Sequence, residues 1–395
     1  MPKQQNQACP DVIKRFRHRH PVAWEIDQAL FDMAKCTDAL QYVNPLNLKR
    51  ERKRFERLKS RYTPEFHYRQ LAIDPYAFRQ ALYRLPVADI DDSLLRGLYC
   101  AIIDSYANKV DMLSALGTPR FLYESLRYYG EPQASDVESA RFLLFAPELT
   151  EVEAEPRTIT AQASLALFEE AVEAMELTCS VALSDTMVAR AMVNNSRNQL
   201  VVNSRALFTE REVQALIHHE LGVHMCTTLN ARMQPISTLR LGLPGNTHSQ
   251  EGLAILCEYL SGNLSITRLK DLALRVMAVH WLVKGHDFTY VVQRLQTDFG
   301  TDPGVAFTVT TRVFRGGGFT KDYVYLSGLR DLLKCHASGQ SLAPLLLGKM
   351  SLPYRDVVEQ LLARGDLVEP VFQPPALSMT VKKHPVMEYL VNSIQ

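Results

Sequence analysis

From Val22 to Tyr129, apolar residues return every three to four positions, as in IDDSLLRGLYCAII at 90–103, and this is the period of amphipathic helices. The polar residues 1–20 ahead of them predict a flexible start. The helical pattern closes at YYGEP (128–132), and the acidic, proline-containing stretch 148–156 marks a domain boundary. Beyond it, three apolar runs at 177–183, 191–193 and 199–202 have strand length, and NNSRN at 194–198 joins the last two as the turn of a hairpin. The period then returns to helical. Thr209 and Glu212 read as a capping box, and Val213, Leu216, Ile217 and Leu221 form the buried stripe of the helix that follows. A second helix over 252–260 offers an apolar face to pack against the first. Helices continue to about Phe299, a glycine-rich segment covers 312–325, further helices follow, and a proline-rich tail starts at Pro370. The expected organisation is a flexible 1–20, a helical region at 21–150, one domain at 151–370 and a tail at 371–395, without internal repeats.

With 395 residues and 47% hydrophobic content, the chain can bury a sizeable core. Its net charge of +1 gives no global case for nucleic-acid or membrane binding. The charge is uneven, because residues 1–65 carry 14 Lys/Arg against 8 Asp/Glu. Much of the excess lies in LKRERKRFERLKSR at 48–61, where Glu51, Glu56, Phe55 and Leu58 interrupt the cations. That interleaving reads as a solvated helix face in preference to a polyanion-binding patch, and no groove-reading element accompanies it. The seven cysteines are scattered, odd in number and without a CxxC pair, so they read as reduced thiols. No apolar run reaches transmembrane length, and the first residues lack the apolar core of a signal peptide. The expectation is a cytoplasmic protein with no nucleic-acid and no membrane partner.

Chemistry concentrates in HHELGVH (218–224) and QEGLA (250–254). His219 and His224 supply two imidazoles and Glu251 a carboxylate, one of the known ligand sets of a catalytic zinc with an open fourth position, and Glu220 is left free beside them. The spacing sets a condition. Histidines four apart lie about 40° apart on an α-helix, but five apart they diverge by about 140°. Only a local π-type turn, which brings residues i and i+5 together and is found mostly at functional sites, lets both reach one ion. Gly222 permits such a turn, and the pair His218 and His224, six apart, fares worse. An HExxxH string also arises by chance, as a helix with satisfied histidines. The capping signal and apolar stripe instead place this one on a packed helix. The strand just before it could hold an extended peptide on a sheet edge or be plain core. Glu258, seven residues after Glu251 on the same face, reads as a partner that orients a histidine. Cys226 and Cys257 read as packing, since a thiolate would close the open position. His280 and His286 read as structural.

Six blocks, GTPRF (117–121), YYGEP (128–132), HELGVH (219–224), QEGLA (250–254), RVFRG (312–316) and KDYVYLSG (321–328), resemble the signature blocks of the family that contains the microtubule-associated tyrosine carboxypeptidases. Its bacterial members are labelled flavohaemoglobin expression-modulating QEGLA motif proteins. The blocks fall in order between about residues 60 and 370. The resemblance implies zinc held by His219, His224 and Glu251 with Glu220 catalytic, in agreement with the set read from the spacing. It implies peptide-bond chemistry but not a substrate: the eukaryotic members remove the C-terminal tyrosine of α-tubulin, and nothing in this chain implies tubulin. One departure is Gln250, which stands first in a block that is EEGLA-like in those relatives.

The expected mechanism is zinc-assisted attack of water on a peptide carbonyl, with Glu220 as general base and then acid. Tyr325 and His248 are the candidates for an additional oxyanion donor, and Tyr325 is preferred because it lies in a family block. A carboxypeptidase also needs a cation for the substrate's terminal carboxylate. Arg312 and Arg315 fit, with Lys321 as a third candidate, although an arginine here can equally pair with an aspartate such as Asp322. The whole reads as an α+β, predominantly helical protein with a zincin-like (gluzincin-type) catalytic domain at 151–370, a small β-sheet and a helical N-terminal region. In function it reads as a zinc metallopeptidase, a carboxypeptidase acting on the C-terminus of a peptide or protein. The rival reading is a non-hydrolytic regulatory or binding protein with a structural or vestigial zinc site. Glu220 favours the enzyme, because a structural site has no use for a free carboxylate beside a ligand.

Overall fold

The computed structural model describes residues 10–394 apart from 36, 38, 59–61, 147–155, 186, 188 and 381–383. Most of the expected boundary stretch, the first nine residues and the end of the basic run lie outside the described residues.

The described residues are predominantly helical with two small sheets. In the N-terminal region the long helix Ser93–Ser114 starts where the Asp92 side chain accepts the Leu95 amide (2.9 Å), and it buries Leu95, Tyr99, Ile102, Tyr106 and Val110 along one stripe. The basic helix Leu48–Leu58 buries only Glu51 and Phe55 and turns its cations outward. Glu51 accepts hydrogen bonds from the Tyr62 hydroxyl and the Glu65 amide, which ties this helix to the irregular segment that follows.

Among the described residues five strands follow: β1 (Ile159–Thr160), β2 (Ser180–Ser184), β3 (Ala191–Asn194), β4 (Gln199–Asn203) and β5 (Leu207–Phe208). The expected hairpin is β3–β4, antiparallel with Val193 opposite Leu200. β2 pairs with β4 in parallel, giving the order β2-β4-β3. β2 begins three residues later than the apolar run, because the Leu177 amide bonds to the Val172 carbonyl and closes the helix Ala161–Ala174. β1 and β5 form a separate two-residue ladder, too short to leave a period in the sequence.

Apolar side chains gather in one large and two smaller clusters. The large core extends from Phe16 to Ile394 and unites the N-terminal helices with Asn246–Leu260, Ile266–Val283, Pro303–Phe314 and Val324–Ala337. A smaller core, with Phe168, Leu200, Val202, Phe208, Leu221 and Met225, lies between the sheets and the motif helix. Helices Asn246–Leu260 and Val324–Ala337 pack backbone to backbone: a methyl group at Gly252 would overlap the Gly328 carbonyl carbon, and one at Gly328 would overlap the His248 carbonyl oxygen. Near the C-terminus, the Asn230 side chain bonds to both amide and carbonyl of Phe372, and the helix Pro385–Asn392 buries Met387, Leu390 and Val391. Among the described residues no helix is long and apolar enough to cross a membrane.

Candidate metal centre

The capping box forms as its residues dictate. The Thr209 hydroxyl accepts the Glu212 amide and the Glu212 carboxylate accepts the Thr209 amide, each at 3.0 Å. An α-helix, Glu210–Leu216, then passes into a π-helix over Ile217–Met225. This is the turn that the five-residue histidine spacing requires. It brings the Nε2 atoms of His219 and His224 to 3.3 Å from each other, while Leu221 and Met225 anchor the opposite side of the helix in the small core.

Glu251, on the Asn246–Leu260 helix, places Oε2 at 3.8 Å from each of those nitrogens. A triangle with these sides admits one ion about 2.1 Å from each corner, the bond length zinc makes to imidazole and carboxylate. The donor chemistry fits as well. Two imidazole nitrogens that face each other at this distance repel through their lone pairs unless a proton or a cation lies between them. His219, His224 and Glu251 are the only such group among the described residues.

The surrounding groups aim these donors. His219 Nδ1 lies 2.7 Å from Glu258 Oε1, so its Nδ1–H donates to that carboxylate and leaves the Nε2 lone pair facing the triangle. Glu258 is in turn 3.4 Å from Arg268, and although burial opposes it, Arg268 and His219 hold the Glu258 carboxyl below its ordinary pKa. The other oxygen of Glu251 accepts from Lys321 Nζ (3.1 Å) and the Tyr325 hydroxyl (3.1 Å), while Lys321 also donates to the Tyr325 oxygen (2.8 Å). Against the effect of burial, Lys321 and the two histidines keep Glu251 well below the usual carboxylate range. Glu220 is buried next to the triangle and outside it, with its Oε2 accepting the Val193 amide at 3.2 Å on the outer edge of β3. Burial pushes its carboxyl up to about 7; Glu251 and Glu258 add to the rise, and His224 and the Val193 amide oppose it.

The remaining cations are placed as follows. Arg312 makes a two-pronged pair with Asp322 (2.5 and 3.0 Å), and despite burial Arg312 and Arg275 hold Asp322 below the usual carboxylate range. Arg315 is buried, donates to Asn44 Oδ1 (2.7 Å) and lies 4.9 Å over the Phe319 ring, facing the N-terminal helices. The glycines after it are packed closely, with Gly316 against Phe121 at φ 79° and its amide bonded to the Tyr68 hydroxyl (2.7 Å). His248 pairs with Asp331 at 3.4 Å. Gln250 reaches the Leu345 and Gly348 carbonyls (3.3 and 3.4 Å). Cys226 and Cys257 are buried, and burial raises both thiols, Cys226 to about 12.

Arg268 and Arg275 escaped the sequence reading, and a signal for them existed. With Asp271 they recur every three to four positions on the largely apolar helix Ile266–Val283, a charged stripe on a helix most of whose residues are buried.

Helices that bring two histidines and a glutamate to one point, with a spare carboxylate alongside, define a protein with a candidate metal centre. The family model described as microtubule-associated tyrosine carboxypeptidase matches residues 53–395. Microtubule-associated tyrosine carboxypeptidase 1 of Mus musculus is 30% identical over 200 residues, covering 47% of this chain and 41% of that protein. The Homo sapiens protein of the same name is 31% identical over 192 residues, covering 45% and 39%. The chain belongs to the microtubule-associated tyrosine carboxypeptidase family. Its match spans about two fifths of the length of these curated relatives.

Proposed function

We propose that this chain is a zinc metallocarboxypeptidase that removes residues from peptide or protein C-termini. The observation that carries the reading is Glu220: a buried carboxylate positioned beside the His219–His224–Glu251 triangle and not used as one of its corners. His219, His224 and Glu251 would hold the zinc. A zinc ion bound there supplies a Lewis acid that polarises a carbonyl and lowers the pKa of water toward about 7. Glu220 takes the proton of the attacking water and returns it to the leaving amine, while the Val193 amide fixes its orientation. Tyr325, whose hydroxyl accepts from Lys321 and donates to Glu251, would turn that proton from Glu251 to the developing oxyanion. Lys321 and Glu258 keep Glu251 and His219 aimed. The succession of sheet edge, motif helix and glutamate-bearing helix supports a zincin-like, gluzincin-type reading of the fold around the site. The five described cysteines are free, which supports a reducing, cytoplasmic setting. Membership in a family named for tyrosine carboxypeptidases supports cleavage at the C-terminus.

The test is digestion of a peptide library by the zinc-reconstituted protein, read by mass spectrometry, next to Glu220→Gln. The wild type should release single C-terminal residues. The variant should keep its zinc and lose two or more orders of magnitude in rate, since an amide cannot accept the proton. Wild-type turnover by the variant would refute the general-base role.

A further inference from the structure

A carboxypeptidase needs a cation left free within about one residue of the reacting carbonyl. Near the candidate centre stand Arg268, Arg275, Arg312, Arg315 and Lys321, and four of them are engaged. Arg268 faces Glu258, Arg312 holds Asp322 through two nitrogens, and Lys321 donates to Glu251 and Tyr325. Arg315 is buried and turned toward Asn44 and Phe319. Arg275 differs from all of these. It is partly exposed, and among the described residues no carboxylate lies within ion-pair distance of it, Asp322 acting on it only through space. Its guanidinium carbon lies 5.3 Å from the centroid of the Tyr325 ring, and the hydroxyl of that ring is 3.1 Å from Glu251. Burial and the nearby Arg312 push the Arg275 pKa down to about 10, as expected of a cation short of a counter-ion.

We propose that Arg275 receives the terminal carboxylate of the substrate, an inference that rests on the carboxypeptidase reading above. Arg275 and Glu251 both touch Tyr325. The tyrosine ring thus links the guanidinium, 5.3 Å from its centroid, to the metal-binding carboxylate, 3.1 Å from its hydroxyl. A peptide whose last carbonyl lies at the triangle would extend its α-carboxylate toward this guanidinium, which offers the two parallel donors a carboxylate accepts. The other four cations are engaged with partners of their own. Arg312 neutralises Asp322 and so keeps that carboxylate from capturing Arg275, which leaves Arg275 for the substrate.

The test measures binding as well as turnover. Short fluorescent peptides, identical except for a free or an amidated C-terminus, are titrated against the full-length zinc-loaded Glu220→Gln protein by fluorescence anisotropy, with and without Arg275→Ala. The free acid should bind more tightly than the amide by roughly 10- to 150-fold, and Arg275→Ala should abolish that preference while leaving zinc content and melting temperature unchanged. Arg275→Lys should recover part of it, because an ammonium keeps the charge without the fork. In the otherwise wild-type enzyme, Arg275→Ala should raise KM for free-acid peptides much more than it lowers kcat. A free-acid preference that survives Arg275→Ala overturns the assignment, and the absence of any preference in the Glu220→Gln parent overturns the clamp itself. A protein that binds free acids through Arg275 and hydrolyses none would sink the hydrolytic reading while leaving this carboxylate site in place.

Discussion

The helix that carries His219, Glu220 and His224 rests on the small sheet-backed core through Leu221 and Met225, whereas Glu251, Lys321, Tyr325 and Arg275 stand on helices of the large core. The first group is local: its three residues lie within six positions, and a capping box and a π-turn are enough to aim them. The second is assembled across the chain, with Lys321 reaching Glu251 from 70 residues away over a contact of two glycines. Local geometry sets two donors, and long-range packing sets the third together with the charges around it. The difference teaches that damage to the second group should act through packing and pairing, and damage to the first through the donors themselves.

The largest effects should come from removing a donor of either group. His219→Ala and Glu251→Ala should each lose nearly all bound zinc in a metal analysis of the purified protein. Full occupancy in both would dissolve the proposed centre, and loss in only one would show that the two halves are not partners. Next comes the bond between the halves, Glu258 on His219. Glu258→Gln should weaken zinc by roughly 10- to 100-fold in a competition titration with a chelator, and an unchanged affinity would separate the two groups.

Packing offers a paired test. Gly328→Ala should destabilise the chain by about 1–3 kcal/mol in urea unfolding, because its methyl would overlap the His248 carbonyl oxygen. Gly222→Ala should be close to neutral, since its methyl would meet only Ile217 O at 3.7 Å and the Pro374 Cβ at 3.9 Å. Equal costs at both positions would contradict the contrast between close-packed and open sides. The smallest effect concerns the cap of the motif helix. Arg190 and Arg157 overcome burial and hold Glu212 down at about 2, against an ordinary value of 4.5. A depressed carboxyl contributes stability above its unfolded pKa and loses it as pH falls through the folded one. Glu212→Gln should therefore be less stable than the parent near pH 7, with the gap closing between pH 4.5 and 2. A gap that stays constant with pH would show that Glu212 acts through its hydrogen bonds alone.

Much of this was legible in the residues. The five-residue spacing of His219 and His224 demanded a π-turn, the apolar stripe through Val213, Leu216, Ile217 and Leu221 demanded a packed helix, and NNSRN at 194–198 demanded a hairpin. These features follow from bonds and contacts between residues a few positions apart, which a sequence states directly. The parallel pairing of β2 with β4, the turning of Arg315 toward Asn44 and the placing of Arg275 over the Tyr325 ring could not be read that way. Which cation meets which carboxylate depends on distances between helices that are far apart in the chain. Each arginine is chemically equivalent until the fold places Asp322 against Arg312 and leaves Arg275 against the face of Tyr325. The sequence by itself determined the donors and the local turn that aims two of them. The tertiary structure decided their third partner and which of the neighbouring arginines has no carboxylate partner among the described residues, because ion pairing and close packing act through space and not along the chain.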